Sequence, residues 1–182
     1  MKKYYFITCH LSVMVACHLE AWATASTPTT LEACPIPYVR VSGRCLFFDP
    51  LATGTWHQTQ ALCESLHGNL AKIDTGIFMA DIVDHIREHQ MATKGYWMGA
   101  SDEGHEGDWR WRDGTSVRMG TPFWGYLPER PIVQEPRRGT VENCGCLIDQ
   151  YLYFFHDCPC SNDYYSPLCE YRSKDYQTTT AL

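Results

Sequence analysis

The chain has 182 residues, with 21 acidic and 15 basic side chains and a formal net charge of −6. Phosphate backbones repel a surface of that sign, which excludes nucleic acid as a partner. Once a candidate leader is set aside, 157 residues remain, enough for one domain with its own core.

That leader is residues 1–25. Lys2 and Lys3 precede an apolar stretch from Tyr4 to Cys17, and Ala23-Thr24-Ala25 supplies small residues at the end. The layout is that of a secretory signal peptide cut after Ala25. His10 and His18 interrupt a stretch too short for a bilayer, and nothing later is apolar enough to span one, so no membrane insertion is expected. Cleavage takes away Cys9 and Cys17, leaving eight cysteines and a formal charge of −7. An even cysteine count in an exported chain reads as disulfides.

"STPTTLE", residues 26–32, is a polar lead without periodicity. Cys34 to Phe48 alternates around Ser42-Gly43, which predicts a hairpin closed by Cys34 and Cys45. At "TWHQTQALCESLHG" the period becomes helical, with Trp56, Leu62, Cys63 and Leu66 on one face. Thr55 and Gln58 have capping-box spacing, and Gly68 is the expected stop. A second helix is expected from about Asp74 to His89, burying Phe78, Ile82 and Ile86. His85 and His89, four apart, read as a solvated helix face for want of a third ligand nearby.

"YWMGA" and "DWRWRDG" read as strands, the second with Trp109 and Trp111 on one face. Between them Asp102, Glu103, Glu106 and Asp108 read as a solvated turn, with a second calcium as the alternative. Gly114 to Gln134 has no clear period, and structureless stretches of that length are functional or disordered. Strands resume at "ENCGCLID", "YLYFFHDCPC" and "SPLCEYR". If the strands around the Cys-x-Cys pairs run antiparallel, Cys144 faces Cys160 and Cys146 faces Cys158 as two rungs on one face. Zinc held by these cysteines with His156 is the alternative.

Taken in order, "CPIPYVRVSGRCLFF", "ALCESLHGNLA", "WMGASDEGHEGDWRWRDG", "EPRRGTVENC", "FHDCPC" and "PLCEYR" resemble the C-type lectin-like domain family, over about residues 34–172. The resemblance implies an α+β fold in which two helices flank two small antiparallel sheets, with paired N- and C-terminal strands and a long ligand-binding loop region. Residues 173–182 remain as a flexible tail. It also implies the pairs Cys34–Cys45, Cys63–Cys169 and Cys144–Cys160, with Cys146–Cys158 as an extra pair. The tryptophans Trp97, Trp109 and Trp111 are then packing residues.

Calcium-dependent sugar-binding members of that family carry Glu-Pro-Asn, a later acidic residue, and Trp-Asn-Asp. The matching positions here are Glu135-Pro136-Arg137, Glu142 and Phe155-His156-Asp157. The carboxylates Glu135, Glu142 and Asp157 are the candidate calcium ligands, while Arg137 and His156 replace the amide donors. Calcium needs about six to eight oxygens, and a guanidinium offers only donors and a repelling charge. The expectation is therefore that Arg137 stands in for the cation, bridging Glu135 and Glu142. A water-rich calcium site is the alternative, and Pro136 is expected to be cis, as the family motif implies. Glu135, Arg137, Glu142, His156 and Asp157 are the candidate carbohydrate-binding set. The resemblance implies a secreted lectin that binds glycans, with microbial surface sugars as partners in an innate-immune role. A calcium-independent, protein-binding domain is the rival. An enzyme is not expected: the sequence shows no nucleophile, no phosphate loop and no zinc-protease spacing, and His156 and Asp157, adjacent on a strand, should face opposite ways.

Overall fold

The computed structural model describes residues 33–120, 122–127 and 131–172. The expected signal peptide, the polar lead up to Glu32 and the expected tail from residue 173 lie outside the described residues.

Strands β1 (Val39–Val41) and β2 (Arg44–Phe48) form the predicted hairpin. Ser42 and Gly43 take positive φ values of 49° and 83°, as a two-residue turn between twisted strands requires. Helix α1 (Trp56–Ser65) opens on a capping box: Thr55 Oγ1 accepts from the Gln58 N–H at 3.3 Å, and Gln58 Oε1 accepts from the Thr55 N–H at 2.9 Å. Thr55→Ala removes half of that exchange and is expected to cost about 1 kcal/mol in urea unfolding. An unchanged midpoint would mean the cap contributes nothing.

Two expectations for α1 need correcting. Its buried face is Trp56, Thr59, Gln60 and Cys63, while Leu62 and Leu66 are only half-buried. Gln60 is drawn inward because its amide is fully employed, donating to Asn69 Oδ1 at 3.0 Å and accepting from the Leu70 N–H at 3.0 Å. The helix also does not stop on Gly68: His67 takes the left-handed turn, at φ 63°. Gly68 begins β3 (Gly68–Leu70), where a Cβ would lie 2.5 Å from the Glu170 carbonyl oxygen and 2.3 Å from the Tyr38 hydroxyl. The glycine is there for close approach.

Helix α2 (Gly76–Glu88), capped by Thr75, buries Phe78, Met79, Ile82, Val83 and Ile86. His85 stacks on His89 at 4.1 Å and lies 5.0 Å from Phe48, so it is partly in the core, while His89 is exposed. Burial, and then the neighbouring His89, hold the His85 imidazole below its usual pKa.

The remaining strands are β4 (Gly95–Ser101), β5 (Arg110–Trp111), β6 (Tyr126–Leu127), β7 (Val133–Gln134), β8 (Cys144–Ile148), β9 (Phe155–Cys158) and β10 (Ser166–Tyr171). The α+β class stands, but the two sheets are continuous. The strand order is β1-β2-β10-β4-β8-β9, with β3 also on β10, β5 also on β4, and β6–β7 as a separate ribbon. The join is β10: Ser166 and Pro167 pair in parallel with Tyr96 and Trp97, and Leu168 to Glu170 pair antiparallel with β2. This also supplies the expected pairing of N- and C-terminal strands. Trp97, Trp109 and Trp111 are buried at 0%, 3% and 4% exposure, and the Trp97 indole donates to the Gly54 carbonyl at 2.8 Å. They are packing residues, as expected.

All four expected disulfides are present. Cys63–Cys169 spans 106 positions, a loop whose closure in the unfolded chain is worth up to roughly 4.7 kcal/mol. The rung register, however, is wrong. Cys144 lies opposite Cys158 and Cys146 opposite His156, so Cys144–Cys160 and Cys146–Cys158 are diagonal links, offset by two residues. Cys160 lies beyond the end of β9, where no ladder partner exists. With every sulfur of the two Cys-x-Cys pairs in a disulfide, none is a thiolate available to zinc.

Candidate functional site

The site is carried by the segment that looked structureless. Val117, Phe123 and Trp124 anchor it in the core. The Trp124 indole lies 4.9 Å from Trp109 and donates to the Arg118 carbonyl at 3.0 Å. Apolar burial thus organises the described part of this segment around Val117, Phe123 and Trp124 although no period marks it. The β6–β7 ribbon then leads into Glu135. The Gly125 N–H donates to Phe155 O at 2.9 Å and the Glu135 N–H to Gly125 O at 3.0 Å, which pins the ribbon to β9.

The Glu135–Pro136 peptide is cis, as expected. Glu135 is 5% exposed. Its Oε1 lies 3.4 Å from Arg137 Nε and 3.7 Å from His156 Nδ1. Burial pushes the Glu135 carboxyl up, but hydrogen bonds from His156 and Asp157, together with the nearby positive charge, outweigh it and hold the group below its usual value. Asp157 behaves in the opposite way. Its Oδ2 accepts from the backbone N–H groups of Arg137 at 2.9 Å and Arg138 at 3.0 Å. Burial and the hydrogen bond to Glu135 nonetheless raise its carboxyl from 3.8 to about 7. The two carboxyls are thus shifted in opposite directions, Glu135 down and Asp157 up.

His156 is 2% exposed and stacks on Tyr151 at 4.7 Å between ring centres. On its other side a Cβ on Gly125 would come within 2.6 Å of His156 Nε2, so only glycine leaves room for the ring. His156 and Asp157 take different partners, His156 Nδ1 lying 3.7 Å from Glu135 Oε1 and Asp157 Oδ2 accepting from the loop backbone.

Glu142 stands apart from this trio. Its Oε1 lies 3.4 Å from Arg138 Nη1, four residues earlier in the chain, so Arg138 takes up a share of the work that the sequence assigned to Arg137 alone. Burial raises the Glu142 carboxyl, against the pull of Arg138. Sequence reasoning missed Arg138, although its i,i+4 spacing from Glu142 was visible. It also missed Tyr126, half exposed at 50% and opposite Gln134 in the β6–β7 register, and Tyr151.

Calcium does not fit these residues. Asp157 Oδ2 already accepts two backbone N–H groups, Glu135 faces Arg137 and His156, and Glu142 faces Arg138. Among the described residues no group of three or more histidine, cysteine, aspartate or glutamate side chains is arranged to hold a metal ion. A hard cation would also need neutral oxygens where an arginine and an imidazole stand. The acidic turn is dispersed as well. Asp102 is buried with Oδ2 accepting from the Gly107 N–H at 2.9 Å, Glu103 pairs with His57 at 3.0 Å, and Asp108 with Arg110 at 2.8 Å.

The family model for the Lectin C-type domain matches residues 52–171. The chain belongs to the C-type lectin domain family. That family is generally carbohydrate-binding and non-enzymatic. The perlucin-like protein of Mytilus galloprovincialis is 29% identical to this C-type lectin domain over 137 residues, 75% of the present chain and 81% of the mussel protein. The hepatic lectin of Gallus gallus is 35% identical over 82 residues, 45% of this chain and 37% of its own length, so this chain spans about a third of that relative. Among solved structures, the mouse scavenger receptor C-type lectin carbohydrate-recognition domain superposes with a TM-score of 0.60 at 21% identity, over 78% of this chain and all of that one, which speaks to fold alone. SPL-1, solved as a complex with GlcNAc, superposes with a TM-score of 0.58 at 26% identity, over 75% of this chain and 93% of its own.

Proposed function

We propose that this protein is a secreted, non-catalytic lectin that binds glycans without calcium, through the loop surface around Glu135, Arg137, Arg138, Glu142, His156 and Asp157. The observation that carries the reading is the pairing of two arginines with the carboxylates at the motif positions, Arg137 with Glu135 and Arg138 with Glu142, each at 3.4 Å. Guanidinium groups supply the positive charge that an ion would otherwise bring, and they present N–H donors to sugar oxygens. Tyr126 adds an exposed ring on the hairpin leading into the site, a surface suited to the apolar face of a pyranose.

The leader read from residues 1–25 and four disulfides support export. Among the described residues no helix is long and apolar enough to cross a membrane. An exported domain of this kind meets the surface sugars of microbes, and an innate-immune recognition role is the one we assign it. No catalytic role is assigned, because His156 and Asp157 are engaged with Glu135 and the loop backbone.

The test is binding to a panel of immobilised polysaccharides, with free saccharide as competitor, in EDTA and again in millimolar calcium. The expected result is binding of equal strength in both. Binding lost in EDTA and restored by calcium would show that the arginines do not replace the ion. Absence of binding to every polysaccharide would favour the protein-binding alternative.

A further inference from the structure

We infer that the glycans this site selects are acidic ones, carrying carboxylate or sulfate groups that pair with the outward guanidinium face. This rests on the carbohydrate-binding reading above and goes beyond it by naming the ligand's charge.

The first observation is the order of the charges from core to solvent. The side chains of Glu135 and Glu142 are 4% and 14% exposed, whereas those of Arg137 and Arg138 are 20% and 54% exposed. The carboxylates lie deepest, Arg137 is part-buried beside Glu135 with its Nε inaccessible, and Arg138 stands half exposed above Glu142, so the donors and positive charge offered to a ligand come chiefly from Arg138. A neutral sugar hydroxyl can satisfy such donors. A planar carboxylate or a sulfate satisfies them better, because it accepts a fork of parallel charge-assisted hydrogen bonds.

The second observation is independent of that geometry. Residues 114–142 hold four arginines and three glutamates, while the rest of the chain after Ala25 holds nine basic and seventeen acidic residues. The loop region is thus the positive part of an otherwise strongly negative protein, and of its glutamates Glu135 is buried and Glu142 half-buried. Arg118, on the same segment, is exposed with its guanidinium 6.0 Å over the Phe123 ring. The formal charge is +1 within this loop and −8 over the rest of the chain after Ala25, a difference that favours approach of a polyanion at the loop.

The experiment uses matched pairs of probes on the whole secreted protein in EDTA: dextran with dextran sulfate, and methyl-esterified pectin with polygalacturonate. Each pair keeps its backbone and changes only the anion, and the two pairs separate sulfate from carboxylate as the source of charge. The wild type is expected to bind the acidic member of at least one pair about tenfold or more tightly than its neutral counterpart, the loss expected for one charge-assisted hydrogen bond. Arg138→Gln, on a side chain exposed enough to leave folding intact, should abolish that preference. Arg87→Gln removes the same charge from the exposed face of α2 and should leave it in place. Equal binding of neutral and acidic members overturns the acidic class while leaving the lectin reading standing. An equal loss in Arg87→Gln and Arg138→Gln also overturns it, since net charge alone would then explain the binding. No binding to any of the four, nor to a wider neutral panel, removes the lectin reading and this inference with it.

Discussion

Replacing Arg137 and His156 together by asparagine is expected to create calcium binding at this site or tighten it greatly. Each change supplies a neutral amide oxygen, and Glu135, Glu142, Asp157 and the four disulfides stay untouched. The first change also removes a cation lying 3.4 Å from Glu135 Oε1. Like charges about 4 Å apart cost roughly 1 kcal/mol per unit charge product even in water. For a divalent ion that is about 2 kcal/mol, or about thirtyfold in affinity, and more in a less polar setting. The single Arg137→Asn variant should therefore recover most of the effect, and His156→Asn alone little. Calorimetric titration of the wild type and the three variants reads this directly. Calcium binding by the wild type as tight as by the double variant would show that Arg137 does not occupy the ion's place.

The second large effect concerns acidity. Asp157 holds its proton up to about pH 7 in the folded protein, against 3.8 for an ordinary aspartate. A raised folded-state pKa means that this group's contribution to stability is complete below 3.8 and is lost as the pH climbs through about 7. Glu135, whose carboxyl is held below its usual 4.5, works the other way: its contribution is present above that value and is lost as the pH falls through the depressed one. The pair is jointly most favourable in mildly acidic solution. Between pH 5.5 and 8 the wild type should lose on the order of 2 kcal/mol through Asp157. Asp157→Asn keeps an oxygen for the N–H groups of Arg137 and Arg138 and offers an amide donor to Glu135 without a titratable proton. Urea unfolding at the two pH values should show the decline in the wild type and its removal in the variant. An identical slope in both proteins would mean that the Asp157 carboxyl is not raised in the folded protein.

Local features were legible in the sequence wherever one short stretch decided the outcome. The Thr55 and Gln58 cap and the Ser42-Gly43 turn depend on neighbours in the chain and formed as expected. Gly68 was misread because the atoms that demand it, the Glu170 carbonyl and the Tyr38 hydroxyl, arrive from 102 and 30 positions away. The cysteine ladder was misplaced by two residues for a related reason. Equal sums of residue numbers assume that both strands run past all four cysteines, and β9 ends at Cys158. The order around Phe123 and Trp124 escaped notice because it comes from single aromatic anchors, which leave no period. At the site, the alignment to Cys144 and Cys160 singled out Glu135, Arg137, Glu142, His156 and Asp157. It could not show that Asp157 spends an oxygen on the loop backbone, or that Arg138 is the partner of Glu142.

The grip of Asp157 on that loop goes through main-chain N–H groups, and any residue except proline at positions 137 and 138 presents the same two donors. The side chains there are consequently interchangeable parts on a fixed mount, itself bolted to the diagonal disulfides of β8 and β9. Selection, natural or in a display library, can exchange them for residues that still answer the carboxylates of Glu135 and Glu142, so new specificities can be sampled at these two positions without rebuilding the frame that holds them.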